Sequence, residues 1–107
     1  MARWFSWIAL LRKRSQMERK CFLCGRNGWG DPLERHHIFG GSNRPKSEKY
    51  GLVVLLCRDR CHKFGNASVH QNARTMQFLH EYGEKKWLDE QGKTIEDFIK
   101  EFGRNYL

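Results

Sequence analysis

The sequence predicts a small α+β fold, and three observations carry that prediction. Leu33 to Phe39 and Leu52 to Leu56 have the β-branched and apolar content of strands. Gln71 to Glu90 and Ile95 to Phe102 carry apolar residues at helical spacing. Around the strands stand two close cysteine pairs, Cys21/Cys24 and Cys57/Cys61, able to staple a chain of 107 residues whose 39% hydrophobic content leaves little core to spare. The expectation is one domain with an N-terminal arm: a stapled hairpin and helix, covered by two C-terminal helices.

The elements follow in order. Residues 1–20 form a basic amphipathic arm, with Trp4, Phe5, Trp7, Ile8 and Leu11 ahead of Arg12, Lys13, Arg14, Arg19 and Lys20. Positions 4, 7, 8 and 11 fit one helical face. Packing on the domain or a partner, an unfolded start and a membrane surface all stay open for it. Cys21 to Gly30 is a glycine-rich knuckle, and Leu33 to Phe39 a strand. Gly40-Gly41-Ser42-Asn43-Arg44-Pro45 reads as a loop of breakers, and the run Leu-Val-Val-Leu-Leu to Leu56 as a buried strand. Cys57 to His70 carries the second cluster and a short helix. In Gln71 to Glu90, Met76, Leu79 and Trp87 share one side, Phe78 and Tyr82 adjoin it, and Gly83 weakens continuity. Thr94 with Asp97 makes a capping box that opens Ile95 to Phe102, and Gly103 closes it. The core is expected to run through Met76, Phe78, Trp87, Ile95 and Phe98. No repeat or low-complexity segment occurs.

The net charge is +8 and the isoelectric point about 9.6. Residues 1–74 carry 15 Lys/Arg against 5 Asp/Glu, whereas residues 75–107 carry 5 against 7. A basic front half and a near-neutral tail suit a polyanion-binding face on a helical support, although a basic surface also serves solubility alone.

Two cysteine pairs mean two disulfides or one metal site. The apolar run Trp4 to Leu11 is followed by three basic residues and no small-residue cleavage site, and it is too short to span a bilayer. A reduced cytoplasmic setting is therefore expected, which favours metal ligation. Cys21 and Cys24 form a C-x2-C pair, Cys57 and Cys61 a C-x3-C pair, with 32 residues between. Each spacing lets two thiolates reach one ion, and four complete a tetrahedral zinc shell. The looser x3 spacing leaves His62 as an alternative to Cys61. The acceptor-like Asn66-Ala67-Ser68 has no meaning in a cytoplasmic chain.

Four of the five histidines, His36, His37, His62 and His70, cluster around the cysteine pairs. His80 reads as an ordinary surface or packing residue. Adjacent strand residues point to opposite faces, so His36 and His37 line one site only where the strand bends or ends.

Together, Cys21-x2-Cys24, His36-His37-Ile38, Gly40-Gly41, the apolar strand ending in Leu56-Cys57, and Cys61-His62 resemble the zinc-containing branch of the His-Asn-His (HNH, ββα-metal) nuclease superfamily. The likeness spans residues 21–72. Gly40-Gly41-Ser42-Asn43-Arg44 and the ending Phe102-Gly103-Arg104-Asn105-Tyr106-Leu107 are similar, more narrowly, to small phage-encoded proteins akin to RecA-dependent recombination-enhancement nucleases.

The resemblance implies a zinc-stabilised ββα-metal core over residues 21–72, supported by helices over 73–107. It makes His37 the general base and His36 a ligand of a catalytic divalent ion with His62, the roles of His36 and His37 being exchangeable. His70, in His70-Gln71-Asn72, supplies a further ligand. Imidazole titrates near pH 6.5, which suits proton abstraction at neutral pH. Mg²⁺, Mn²⁺ or a later transition metal all fit such ligands. The pattern departs at the middle Asn, where this chain has Gly51-Leu52; Asn66 or Asn72 is the substitute the sequence offers. DNA in a bacterial host cell, with a recombinase or phage protein as partner, is the implied setting. Arg35, Arg44, Lys46, Lys49, Arg58, Arg60 and Lys63 flank the histidines and suit phosphate contacts. The competing function class is a non-catalytic zinc module binding nucleic acid or protein. A catalytic domain needs a second, histidine-lined metal position; a binding module does not. A disulfide-stapled secreted peptide is the remaining reading.

Overall fold

A computed structural model describes residues 19–107. The expected arm, with Trp4, Phe5, Trp7, Ile8 and Leu11, lies outside the described residues except for Arg19 and Lys20, both exposed. After the knuckle come β1 (Leu33–His37), a 3-10 turn (Gly41–Asn43), α1 (Arg44–Tyr50), β2 (Val53–Cys57), a π-helical turn (Arg58–Lys63), α2 (Ala73–Gln91) and α3 (Ile95–Phe102). The fold is α+β: one two-stranded antiparallel sheet with helices packed around it.

β1 and β2 pair in register from Leu33 opposite Cys57 to His37 opposite Val53. The Ile38 amide still donates to the Leu52 carbonyl at 2.9 Å, although the ladder proper ends at His37. Both strands are thus shorter than, or offset from, the stretches their apolar content marks. The knuckle is fastened to this sheet by the Phe22 amide, which donates to the Leu55 carbonyl at 2.7 Å.

The loop expected over 40–45 is a correction: it winds into a 3-10 turn and then α1. Pro45 stands in the first turn of α1, where the missing N–H costs no hydrogen bond and the fixed φ is already helical. Three contacts hold α1 down. Buried Ser47 Oγ accepts from the Phe39 amide at 3.0 Å and donates to the Phe39 carbonyl at 2.8 Å. Asn43 Nδ2 donates to the Phe102 carbonyl at 2.9 Å, and Lys46 Nζ donates to the Glu101 carbonyl.

The core is aromatic. Phe39, Trp87, Phe98 and Phe102 pack edge-to-face or stacked, with Ile38, Leu52, Leu56 and Leu79 filling between them. Of the residues expected there, Trp87 and Phe98 are buried and Met76 packs partly buried against the cluster. Phe78 and Ile95 are corrections, at 53% and 41% exposure. Phe78 lies against Phe22 of the knuckle, while Ile95 opens α3 directly after its cap. His80 is a packing residue, stacked on Phe39 and Tyr106. Among the described residues no helix is long and apolar enough to cross a membrane.

α2 runs unbroken through Gly83, and the reason is packing. Gly83 is buried against the sheet end, where a Cβ would stand 2.6 Å from Ile38 Cγ2 and 2.9 Å from Phe39 Cε2. The glycine lets the helix approach the strand closely, which outweighs its poor helix propensity. Gly83→Ala is expected to destabilise the zinc-loaded protein by about 1–3 kcal/mol through overpacking, even though alanine favours a helix by about 1 kcal/mol. Urea unfolding measures this, and an unchanged or raised midpoint would contradict the close packing.

Candidate metal and catalytic centre

Two clusters of ligand-type side chains form within the described residues. In the first, one sulfur atom from each of Cys21, Cys24, Cys57 and Cys61 lies within 4.8 Å of the others. The knuckle turn that presents Cys21 and Cys24 is closed by the Cys21 amide on the Arg26 carbonyl and the Gly25 amide on the Cys21 carbonyl. β2 delivers Cys57 at its end, and the π-helical turn delivers Cys61 four residues on. Cys24 and Cys57 sulfurs are 3.5 Å apart. A disulfide needs about 2.05 Å, whereas four thiolates about 2.3 Å from a tetrahedral ion stand roughly 3.8 Å from one another. The set therefore fits a metal such as zinc, with Cys61 rather than His62 as fourth member.

The electrostatics of the bare thiols point the same way. Burial opposes ionisation at Cys24, but the Arg26 amide and the thiols of Cys57, Cys21 and Cys61 bring its pKa down to about 6. Burial, then interaction with Cys24 and Cys21, pushes Cys57 up to about 12 and raises Cys61 likewise. One thiolate suppresses the next, so four can coexist only around a cation.

The second cluster is His36, His62 and His70, whose ligand nitrogens also lie within 4.8 Å of one another. His36 comes from β1, buried on the sheet face toward the π-helical turn that carries His62. His70 is brought back by two backbone bonds, Val69 amide to Cys61 carbonyl at 2.9 Å and His70 amide to His62 carbonyl at 3.2 Å. Gly65 makes that return possible. A Cβ there would fall 1.9 Å from the Arg60 carbonyl oxygen, so only glycine fits.

The ring centroids are 5.1 Å apart for His36 and His62, and 4.7 Å for His62 and His70. His36 Nε2 and His62 Nδ1 are buried without a hydrogen-bond partner among the described residues. Such orphaned nitrogens are uncommon in folded proteins and fit a metal ion. Burial, then the neighbouring His62, His70 and His37, lowers the His36 pKa to about 4. Burial and His70 lower His62 too, against the opposing charge of Glu34, whose Oε2 lies 3.7 Å from His62 Nδ1. His36 and His62 are thus held neutral near pH 7, the form that binds a metal.

His37 does not belong to that cluster. It ends the regular ladder, and its ring meets α1, with Nε2 2.7 Å from Glu48 Oε2. Glu48 also accepts from Arg35 Nη2 at 2.7 Å. These bonds from Arg35 and His37 lower the Glu48 pKa, so its carboxylate is ionised and can only accept. In the neutral ring, Nε2 of His37 is therefore the protonated nitrogen and Nδ1 the one with the lone pair. Neither asparagine offered as a substitute plays this part. Asn72 Oδ1 caps α2 by accepting from the Arg74 and Thr75 amides, and Asn66 is exposed. Glu48 and Glu34 are the residues that sequence reasoning missed. Glu48 is the only acid between Arg35 and Arg58, and Glu34 shares a strand face with His36.

The basic residues divide. Arg35 is tied to Glu48, Arg58 to Asp59 at 3.3 Å, and Lys63 faces Glu34 at 3.7 Å. Lys46 is a correction, because it anchors α1 on the Glu101 carbonyl. Lys49 lies over the Tyr50 ring. Arg44 and Arg60 are exposed and make no ion pair among the described residues.

Comparison with known proteins adds no relative: no family model, no curated protein and no solved structure matches the chain significantly.

Two candidate ligand clusters of different chemistry predict two classes of bound ion. Dialysed protein should keep one zinc per chain and bind a second divalent ion weakly and reversibly. In His62→Ala the second ion should be lost while the zinc stays. Elemental analysis with equilibrium dialysis measures both, and a variant that keeps two ions would remove His62 from the second site.

Proposed function

We propose that this chain is a metal-dependent DNA endonuclease of the His-Asn-His (ββα-metal) type, resting on a structural zinc. The observation that carries the reading is the three-histidine cluster beside a fourth histidine whose tautomer is set by a carboxylate. A zinc-binding module that only held nucleic acid or protein would need the four cysteines and a basic face. It would have no use for three gathered imidazoles, two of them with buried, unpartnered nitrogens.

In this reading His36, His62 and His70 hold one divalent ion, which neutralises the scissile phosphate and favours departure of the leaving oxygen when bound. Mg²⁺ and Mn²⁺ are the leading candidates, and an all-imidazole set also suits later transition metals. His37 Nδ1 removes a proton from a water molecule as the water oxygen forms its bond to phosphorus. The phosphorus–oxygen bond to the leaving group then breaks, and solvent returns a proton to that oxygen. Glu48 holds the imidazole in the required tautomer and stabilises the imidazolium that forms, the part the family gives to its middle Asn. Arg44 and Arg60, without ion-pair partners among the described residues, supply phosphate contacts without reading sequence.

Plasmid nicking with Mg²⁺, Mn²⁺ or Ni²⁺ tests the proposal. His37→Ala is expected to lower the rate by about 10²–10⁴-fold with both metals still bound. Glu48→Ala should cost roughly 10–100-fold, as loss of a ring-orienting partner does, without loss of zinc. If wild type cuts neither single-stranded nor duplex DNA in any of these metals, the nuclease reading fails and the binding module takes its place.

A further inference from the structure

Trp29 is 91% exposed, the most exposed of the large apolar side chains among the described residues. Water contact over a whole indole is unfavourable, and Trp87 by contrast is 2% exposed in the core. Trp29 stands on the cysteine knuckle, where its own amide is held by Asn27 Oδ1 at 2.9 Å. It lines an open groove of about 650 Å³ with Lys20, Arg26, Asp31 and Arg60.

Cations outnumber acids in this groove. Asp31, its one acid, turns both carboxylate oxygens onto backbone amides, Oδ1 to Asp59 at 2.9 Å and Oδ2 to Arg60 at 3.0 Å. Those bonds fix the start of the π-helical turn and satisfy the anion internally. Lys20, Arg26 and Arg60 are all exposed, and none makes an ion pair among the described residues. A flat aromatic surface bordered by three unpaired cations is complementary to an unpaired nucleotide, base on indole and phosphates on the cations. A duplex offers no free base face to such a platform. Arg60, which lines the groove, lies two residues before His62 on the same π-helical turn.

We propose that the knuckle is a single-stranded DNA subsite in which Trp29 stacks on an unpaired base and Lys20, Arg26 and Arg60 grip its flanking phosphates. The inference deepens the nuclease reading by naming its substrate: a strand, or an unpaired junction of a strand, led past the zinc knuckle to the three histidines. It rests on that reading for the direction of the strand but not for the binding itself.

The test is fluorescence anisotropy of full-length, zinc-loaded protein with a fluorescein-labelled oligothymidylate and, separately, a labelled duplex, without any other divalent ion so that nothing is cut. Trp29→Ala is expected to weaken oligothymidylate binding by about 5- to 100-fold and duplex binding by less than about twofold. Trp29→Tyr should restore most of the loss. Arg26→Ala should reduce the slope of log affinity against log salt by about one. Because the indole is exposed, zinc content and unfolding midpoint should match wild type in all variants. Equal binding of oligothymidylate by wild type and Trp29→Ala would overturn the subsite and leave Trp29 as a protein-docking side chain. An equal loss on both DNA forms would overturn stacking as its mechanism. Nicking by wild type with no Trp29 effect on strand binding removes this inference alone, and Trp29-dependent strand binding with no nicking removes the nuclease reading alone.

Discussion

Crowding of four thiols, three of them buried, whose thiolates could coexist only around a cation, is the constraint on which the rest of the structure hangs. Cys21 and Cys24 come from the knuckle, Cys57 from the end of β2 and Cys61 from the π-helical turn, so one ion held by all four would tie three segments together. The sheet has only two strands, and an isolated hairpin has marginal stability in water. The four-cysteine cluster lies at the end of the hairpin where Leu33 faces Cys57. The aromatic cluster of Phe39, Trp87, Phe98 and Phe102 fixes the other end. Between these anchors the hairpin carries His36 and His37.

Strand geometry then separates two chemistries that adjoin in sequence. Because consecutive side chains alternate, His36 meets His62 and His70 while His37 meets Glu48. In the first, burial and the neighbouring imidazoles lower the His36 pKa, which favours its neutral form. The second supplies an ionised carboxylate that settles which nitrogen bears the proton. Each environment is set by a backbone device some distance away. Ser47 clamps α1 to Phe39 and so aims Glu48. Gly65 lets the chain after the π-helical turn fold back close enough for His70 to join His62.

The basic face looks different once partners are counted. Several cations near the histidines already serve the fold or neutralise nearby carboxylates, Lys46 and Arg35 most plainly. Arg26 and Arg60, which make no ion pair among the described residues, line a groove on the knuckle next to an indole that the core did not take. Charge summed over the sequence locates an excess of cations in the front half of the chain. Only the pairing of individual charges says which surface remains to express it.

The sequence by itself determined what local chemistry governs. Cysteine spacing marked the four-sulfur site, because ligand reach from a tight turn is a short-range property. The Thr94 box and Gly103 bounded the last helix for the same reason, and both caps form as read. Tertiary structure alone decided what depends on which distant surfaces meet. It made a helix of residues 44–50, held by Ser47, Asn43 and Lys46 against partners elsewhere in the chain. It left Phe78 and Ile95 exposed, since burial depends on what covers a helical face and not on the face alone. It also put Glu48 on His37, where family resemblance looked for an asparagine. A side chain that approaches across eleven residues leaves no spacing rule in the sequence, only an acid that stands out among bases.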